Sequence, residues 1–405
     1  MTGASETTAA GTMSRRRLFG VSGGVGLAAV LAFPARALAQ GAGSGSGRLP
    51  QTLGALGADY DQNLVDIHYP ELRAAAARWL RGFFPMPEAD AGNPADNAAI
   101  QAIVAAGKRD YGTVLGLKFP YNNAVMPAPG SPEMALALAR LDKVLPAVMD
   151  NVDILVIGNE PFIESLPADR GDPLNVFYET IADHVIAYRQ AHGGPGSRTR
   201  LYMGALNRLD LPANQTAGTE RWMAFARQTP ELEGVDIHPH VPSPDAVQPF
   251  LDYILPRLRS DQTFLVTEFS LVWYWQAHLS DQVSAQFADR YGFARSTLVW
   301  QVIEASIQRP FTQEQWDYFL ATSAWFQSQK TFLRDQVQRF RQTGRLAVAT
   351  YAFRQGEPMV QNFGPDKTPW VLNSLFDNHT VQTQPDGLPG RTNPWFDDFR
   401  ALQHG

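Results

Sequence analysis

From about residue 50 onward, short apolar runs alternate with stretches in which apolar side chains recur every three or four positions. Eight runs read as strands: Thr52–Ala58, Ala77–Phe84, Thr113–Phe119, Val152–Gly158, Arg200–Leu206, Gly234–His238, Thr263–Thr267 and Leu346–Phe353. A run that is apolar on both faces belongs in a parallel sheet covered on both sides. Amphipathic helical patterns lie between the runs, among them Ser131–Met149, Asn175–Ala191 and Pro244–Arg259. Eight β/α units in series predict an α/β fold, a closed (β/α)8 TIM barrel rather than an open doubly wound sheet.

One interval is too long for a single connecting helix. Between Phe269 and Arg345 the pattern predicts helical stretches near Val283–Ile307 and Gln313–Gln338. We read residues 270–345 as a helical insertion after the seventh strand, packed over the barrel mouth; a small helical domain with a separate role is the alternative. Pro385–Pro394 is rich in Pro and Gly and reads as irregular, ahead of a last short helix near Pro394–Leu402.

The amino terminus has a different pattern. Ser14-Arg15-Arg16-Arg17-Leu18-Phe19 reads as a twin-arginine export signal, followed by a weakly apolar Gly/Ala-rich segment from Gly20 to Phe33. Ala37-Leu38-Ala39 supplies a small-x-small cleavage site. The expected organisation is a signal peptide over 1–39, a Gly/Ser-rich leader over 40–48 and the barrel over 49–405. The Tat translocase is then a partner during export, and the mature protein is periplasmic or secreted. No later apolar run reaches the ~18 residues of a membrane helix, so no stable membrane insertion is expected after cleavage.

Composition narrows the chemistry. The chain of 405 residues has no cysteine, which excludes disulfides, thiolate metal sites and cysteine nucleophiles. Its net charge of −6 comes without basic runs, so nucleic acid is not expected as a partner. The sequence lacks a Gly-x-Ser-x-Gly elbow, a P-loop lysine motif and a dinucleotide fingerprint in strand–turn–helix context. No cofactor and no metal are expected, and the mature protein is expected to be a monomer.

The candidate chemistry lies at two strand tips. Val152–Gly158 runs into Asn159-Glu160-Pro161, and Thr263–Thr267 runs into Glu268. In a (β/α)8 barrel the C-terminal strand ends converge on one face, however far apart they are in sequence. Two carboxyl groups facing one cleft are the minimum for cleaving a glycosidic bond, one to protonate the leaving oxygen and one to attack or to activate water. Taken singly, Glu160 can be a surface acid in a turn, Glu268 an ion-pair partner, and Asn159 a helix cap.

Asn159-Glu160-Pro161 at the fourth strand, with Glu268 at the seventh, resembles clan A of the glycoside hydrolases, the retaining "4/7" barrel enzymes. The resemblance implies that Glu160 is the general acid/base, that Glu268 is the nucleophile and that Asn159 bonds the sugar 2-hydroxyl. It also implies that Arg81, in Arg78-Trp79-Leu80-Arg81-Gly82-Phe83, holds Glu268 ionised, and that His238, in Asp236-Ile237-His238-Pro239-His240, belongs to the site. The departures are instructive. Many clan members carry a tyrosine two residues after that histidine, donating to the nucleophile, whereas this chain has His240. Where they carry a sugar-flooring tryptophan at the eighth strand, it offers Tyr351 and Phe353. Trp273, Tyr274 and Trp275 are candidates for stacking instead.

The expected function is hydrolysis of β-linked glycosides or polysaccharide with retention, on a carbohydrate substrate whose sugar the sequence does not name. The alternatives are an inactive sugar-binding barrel in polysaccharide export or attachment, or a transglycosylase using the same residues. His238-Pro239-His240 also has the spacing of a metal pair on a strand, but further ligands of an amidohydrolase-type site are missing from the expected positions.

Overall fold

The computed structural model describes residues 53–193 and 197–403, so the expected signal peptide and leader lie outside the described residues. Eight strands form a closed barrel in sequence order: β1 (Ala55–Asp59), β2 (Trp79–Pro85), β3 (Gly112–Lys118), β4 (Ile154–Ile157), β5 (Arg200–Asn207), β6 (Leu232–His238), β7 (Thr263–Val266) and β8 (Leu346–Ala352). Every neighbouring pair is parallel, and β8 closes on β1 with Leu56 opposite Ala349. All eight expected strands are present, and their bounds move by at most a few residues.

Two cores explain why the strands read as unbroken apolar runs. Ile154 and Val156 point into the barrel, where they meet Trp79, Val114, Tyr202, Leu265 and Val348. The alternate residues Leu155 and Ile157 face outward into the larger core beneath the helices. Both faces are therefore dry, as the run of β-branched residues requires. Trp79 fills the barrel interior near its N-terminal end, and its neighbours are glycines for lack of space. A Cβ at Gly112 would come within 2.2 Å of the Trp79 ring, and one at Gly57 within 2.7 Å of its Cβ.

The outer layer includes helices Ala98–Gly107, Pro132–Val148, Asp172–His192 and Ala217–Gln228. The β7–β8 interval holds six helices between Val272 and Gln342. The expected stretch Val283–Ile307 is broken there. Ala285–Tyr291 ends at Gly292, which takes the left-handed conformation at φ 74°, and Val299–Gln308 starts afresh. Likewise Gln313–Gln338 is interrupted near Ser323 and Thr331. This segment packs through Trp275, Trp316, Phe319, Trp325 and Phe326, joined by Trp395 of the C-terminal helix Trp395–Leu402.

Candidate active site

A cleft of about 440 Å³ opens at the C-terminal ends of the strands. Asp59, Lys118, Asn159, Glu160, His240 and Glu268 line it, each at or just beyond a strand tip. The rest of the wall includes Lys367, Trp370 and Asn373, from the irregular segment after β8. None of the lining residues belongs to the helices between β7 and β8. The expectation that the insertion covers the mouth is thus corrected: the chain following β8 forms that wall.

The turn after β4 aims its polar residues by close backbone packing. Gly158 takes φ 98°, and a Cβ there would meet the Tyr178 ring at 2.8 Å. Gly204 on β5 allows the two strands to approach, since its Cβ would lie 2.6 Å from the Gly158 backbone. The Asn159 carbonyl is then pinned by the Ala205 N–H at 2.8 Å. Asn159 and Glu160 leave the strand toward the cleft from this fixed point.

Glu160 and Glu268 come together. An oxygen of each, with a ring nitrogen of His238 and of His240, forms a set in which every atom is within 4.8 Å of the others. Both carboxylates stay accessible, with side chains 15% and 17% exposed. Arg81, only 2% exposed, lies beneath them. Its Nη1 donates to Glu268 Oε1 at 2.6 Å and Asp59 Oδ1 at 3.0 Å, and its Nη2 to Asn159 Oδ1 at 2.6 Å. Asn159 Nδ2 in turn donates to Glu164 Oε1 at 2.9 Å, which Lys118 Nζ approaches to 2.5 Å. A continuous polar chain therefore runs from the tip of β3 through the β4 turn to the tip of β7.

His238 is fully buried. Its Nδ1 lies 3.1 Å from Glu160 Oε1 and 3.6 Å from Glu268 Oε1, and its Nε2 contacts Thr267 Oγ1 at 2.8 Å. Burial by itself would lower its pKa. The Glu268 charge, with Asp236 and Glu160, outweighs that and holds the imidazole protonated well above its ordinary value. Both ring nitrogens then donate, and the Thr267 hydroxyl in turn donates a hydrogen bond to Asp236 Oδ2. His240 Nε2 sits 3.3 Å from Glu268 Oε2, with Nδ1 2.8 Å from Ser270 Oγ. Burial pushes the Glu268 carboxyl up, but His238, Arg81 and His240 together hold it well below the usual carboxylate range. Glu268 is thus a fixed anion with donors on both oxygens.

The same four groups have the composition of a metal site. Their ring nitrogens, however, are taken by Glu160, Thr267, Ser270 and Glu268, and a guanidinium already stands against Glu268. A cation placed among them would face Arg81 and the protonated His238, so the donor set fits an acid–base pair better than a metal centre.

The remaining expected residues divide. Arg81 and His238 touch the glutamates from beneath the cleft floor and do not line the cleft themselves. Trp275 is corrected: it is buried among Trp325, Phe326 and Trp395 and cannot stack on a sugar. Tyr351 is also corrected. Its side chain is fully buried, and its hydroxyl donates to Asn373 Oδ1 at 2.9 Å behind the cleft wall. Trp273 lies outside the cleft lining, with the Arg208 guanidinium 5.5 Å from its ring centre. Trp370 lines the cleft together with Phe83 and Phe269, and its ring meets His240 edge-on at 4.9 Å.

Sequence reasoning missed Asp59, Asp61, Lys118, Glu164 and Trp370. Asp59 and Lys118 end their strands, so the strand-tip rule that found the glutamates also reaches them. Trp370 sits in irregular chain and carries no such signal.

No protein-family model and no curated protein matches this sequence. Among solved structures, the chain is similar to CbXyn10B in its native form, at 15% identity over 86% of this chain and 95% of that one, with a TM-score of 0.48. It is also similar to a glucosidase from Croceicoccus marinus, at 11% identity over 87% and 68% of the two chains, with a TM-score of 0.48. A mutant of Saccharomyces cerevisiae Gas2p in complex with laminaritetraose and laminaripentaose matches at 10% identity, with a TM-score of 0.42. The match covers 86% of this chain and spans 62% of the Gas2p chain.

Proposed function

We propose that this protein is a retaining glycoside hydrolase of clan A type acting on β-linked glycosides. The observation that carries the reading is the approach of Glu160 and Glu268 to within 4.8 Å, oxygen to oxygen, across an open cleft. Carboxyl groups ~5–5.5 Å apart suit double displacement, whereas ~6.5–9.5 Å leaves room for a water between them and gives inversion.

In the first step Glu160 gives its proton to the glycosidic oxygen, and the C–O bond to the leaving group breaks. Glu268 attacks the anomeric carbon and forms a glycosyl ester. In the second step Glu160 takes a proton from water, the water oxygen bonds to the anomeric carbon, and the ester C–O bond releases Glu268. Arg81, His238 and His240 favour an ionised nucleophile at both ends of the cycle. Trp370 offers an aromatic face for the apolar side of a sugar ring.

The test is early-time NMR of the product anomer with aryl β-glycosides, alongside Glu268→Ala and Glu160→Gln. Retention and a loss of at least about 10³-fold in kcat/KM for Glu268→Ala are expected. Inversion, or near-normal turnover in Glu268→Ala, would refute the assignment. Oligosaccharide products longer than the substrate would make the protein a transglycosylase with the same residues. The proposal includes export by the twin-arginine route, supported by Ser14–Phe19 and Ala37-Leu38-Ala39. Loss of the protein from the periplasmic and medium fractions on replacing Arg15, Arg16 and Arg17 by Lys is the expected result.

A further inference from the structure

Asp61 is a fourth cleft carboxylate, after Asp59, Glu160 and Glu268, and the mechanism above does not use it. It sits two residues beyond the tip of β1, lines the cleft and leaves its side chain 34% exposed. One oxygen each from Asp59, Asp61 and Glu268 lies within 4.8 Å of the other two. The three share one guanidinium unequally. Arg81 Nη1 is 2.6 Å from Glu268 and 3.0 Å from Asp59, but 3.5 Å from Asp61 Oδ1. At that distance Asp61 has an ion-pair contact but no hydrogen bond. No side-chain hydrogen bond to Asp61 is formed by any other described residue.

The backbone is fixed so as to put the carboxylate there. Asp61 takes the left-handed conformation at φ 50°. Its N–H donates to Asp59 Oδ1 at 3.1 Å, and its carbonyl accepts from the Phe83 N–H at 2.9 Å. Gly82 makes room for that carbonyl, since a Cβ there would lie 2.7 Å from it. The left-handed turn, which aspartate tolerates, places an unbonded carboxylate beside two others, an arrangement unfavourable on electrostatic grounds. Such features persist where a ligand completes them.

We infer that Asp61 is a specificity-determining residue that accepts two adjacent, unsubstituted hydroxyls of the sugar ring held against Glu268. Burial, with Asp59 and Glu268, pushes the Asp61 carboxyl up, and Arg81 opposes them. In its ionised form it is an acceptor only, with two oxygens side by side, and a vicinal diol supplies two matching O–H donors. The diol satisfies the acceptor sites that Arg81 leaves free. Asp59 and Glu268 disfavour a second anion at this place, so the ring edge facing Asp61 is neutral. The substrate class is therefore a glycoside whose ring carries a free vicinal diol there, not an acidic, acylated or O-methylated edge. This inference rests on the glycosidase reading.

The experiment uses the full protein with aryl β-glucoside, β-mannoside, β-xyloside and β-galactoside, and monodeoxy and mono-O-methyl forms of the favoured one. The variants are Asp61→Gly and Asp61→Asn. Glycine accepts the left-handed backbone without strain and asparagine tolerates it, so both are expected to fold with a Tm within about 2 °C of wild type. Asp61→Gly is expected to lower kcat/KM on the favoured glycoside at least about hundredfold, because a site built to bond hydroxyls discriminates strongly. Asp61→Asn, keeping one acceptor oxygen, is expected to lose less. Removing either hydroxyl of one adjacent pair should cost wild type at least about tenfold but cost Asp61→Gly little more. Kinetics of Asp61→Gly within threefold of wild type, or equal deoxy penalties in both proteins, would overturn the inference while a dead Glu268→Ala left the hydrolase reading standing. Wild type inert on every glycoside would remove the hydrolase reading, and this inference with it.

Discussion

Replacing Arg81 by Met tests the electrostatic frame of the site most directly. The guanidinium is 2% exposed and stands against Glu268 at 2.6 Å, Asp59 at 3.0 Å and Asp61 at 3.5 Å. Methionine is close in length but leaves these carboxylates without their cation. Removing one partner of a buried pair costs about 3–5 kcal/mol, since the remaining charge stays buried. For roughly 350 ordered residues the unfolding entropy is about 0.7 kcal/mol/K, so the melting temperature should fall by about 4–7 °C. The loss should depend on pH. In wild type the Glu268 carboxyl is held well below the usual range. Its stabilising contribution is therefore intact above the ordinary carboxylate value and is lost only as the pH falls through the lower folded one. Without Arg81, burial acts on Glu268 less opposed, and on Asp59, whose carboxyl burial already raises. A carboxyl raised in the folded state destabilises at high pH and is relieved as the pH falls through its folded value. The deficit of Arg81→Met should accordingly be largest at pH 8 and smaller at pH 5, by about 1.4 kcal/mol for each unit by which one group's folded pKa has come to lie above 5. Scanning calorimetry of both proteins between pH 5 and 8 reads this. A deficit that is constant with pH, or that grows on acidification, would refute the reasoning.

His240→Phe keeps the edge contact to Trp370 but removes the donor 3.3 Å from Glu268 Oε2. A hydrogen bond to a charged group is worth ~1.5–3 kcal/mol, so kcat/KM should fall roughly ten- to hundredfold and Tm by about 2–4 °C; unchanged steady-state kinetics would show that His240 is dispensable. Gly234→Ala tests the barrel itself. With φ at 150° and a Cβ that would meet the Thr263 carbonyl at 1.8 Å, it should push β6 from β7 and cost more than about 3 kcal/mol. Soluble protein melting like wild type would contradict that.

The sequence by itself determined the architecture and the two acids. Runs such as Ile154–Ile157 and Thr263–Val266 are apolar on both faces, and eight of them separated by helical periodicity leave the closed barrel as the solution that buries them all. The acids at 160 and 268 were legible because a polar residue ending such a run emerges at the barrel rim. Tertiary structure alone decided what surrounds them. Trp275 and Trp370 look alike in sequence, yet one is packed under Trp325 and Trp395 and the other stands in the cleft. Asp61 carries no periodic signal, since its place depends on a left-handed turn and on the space left at Gly82. Periodicity reports which face of a regular element is dry. Loop conformation and the sharing of one guanidinium among three carboxylates depend on residues distant in sequence, which only the folded chain brings into contact.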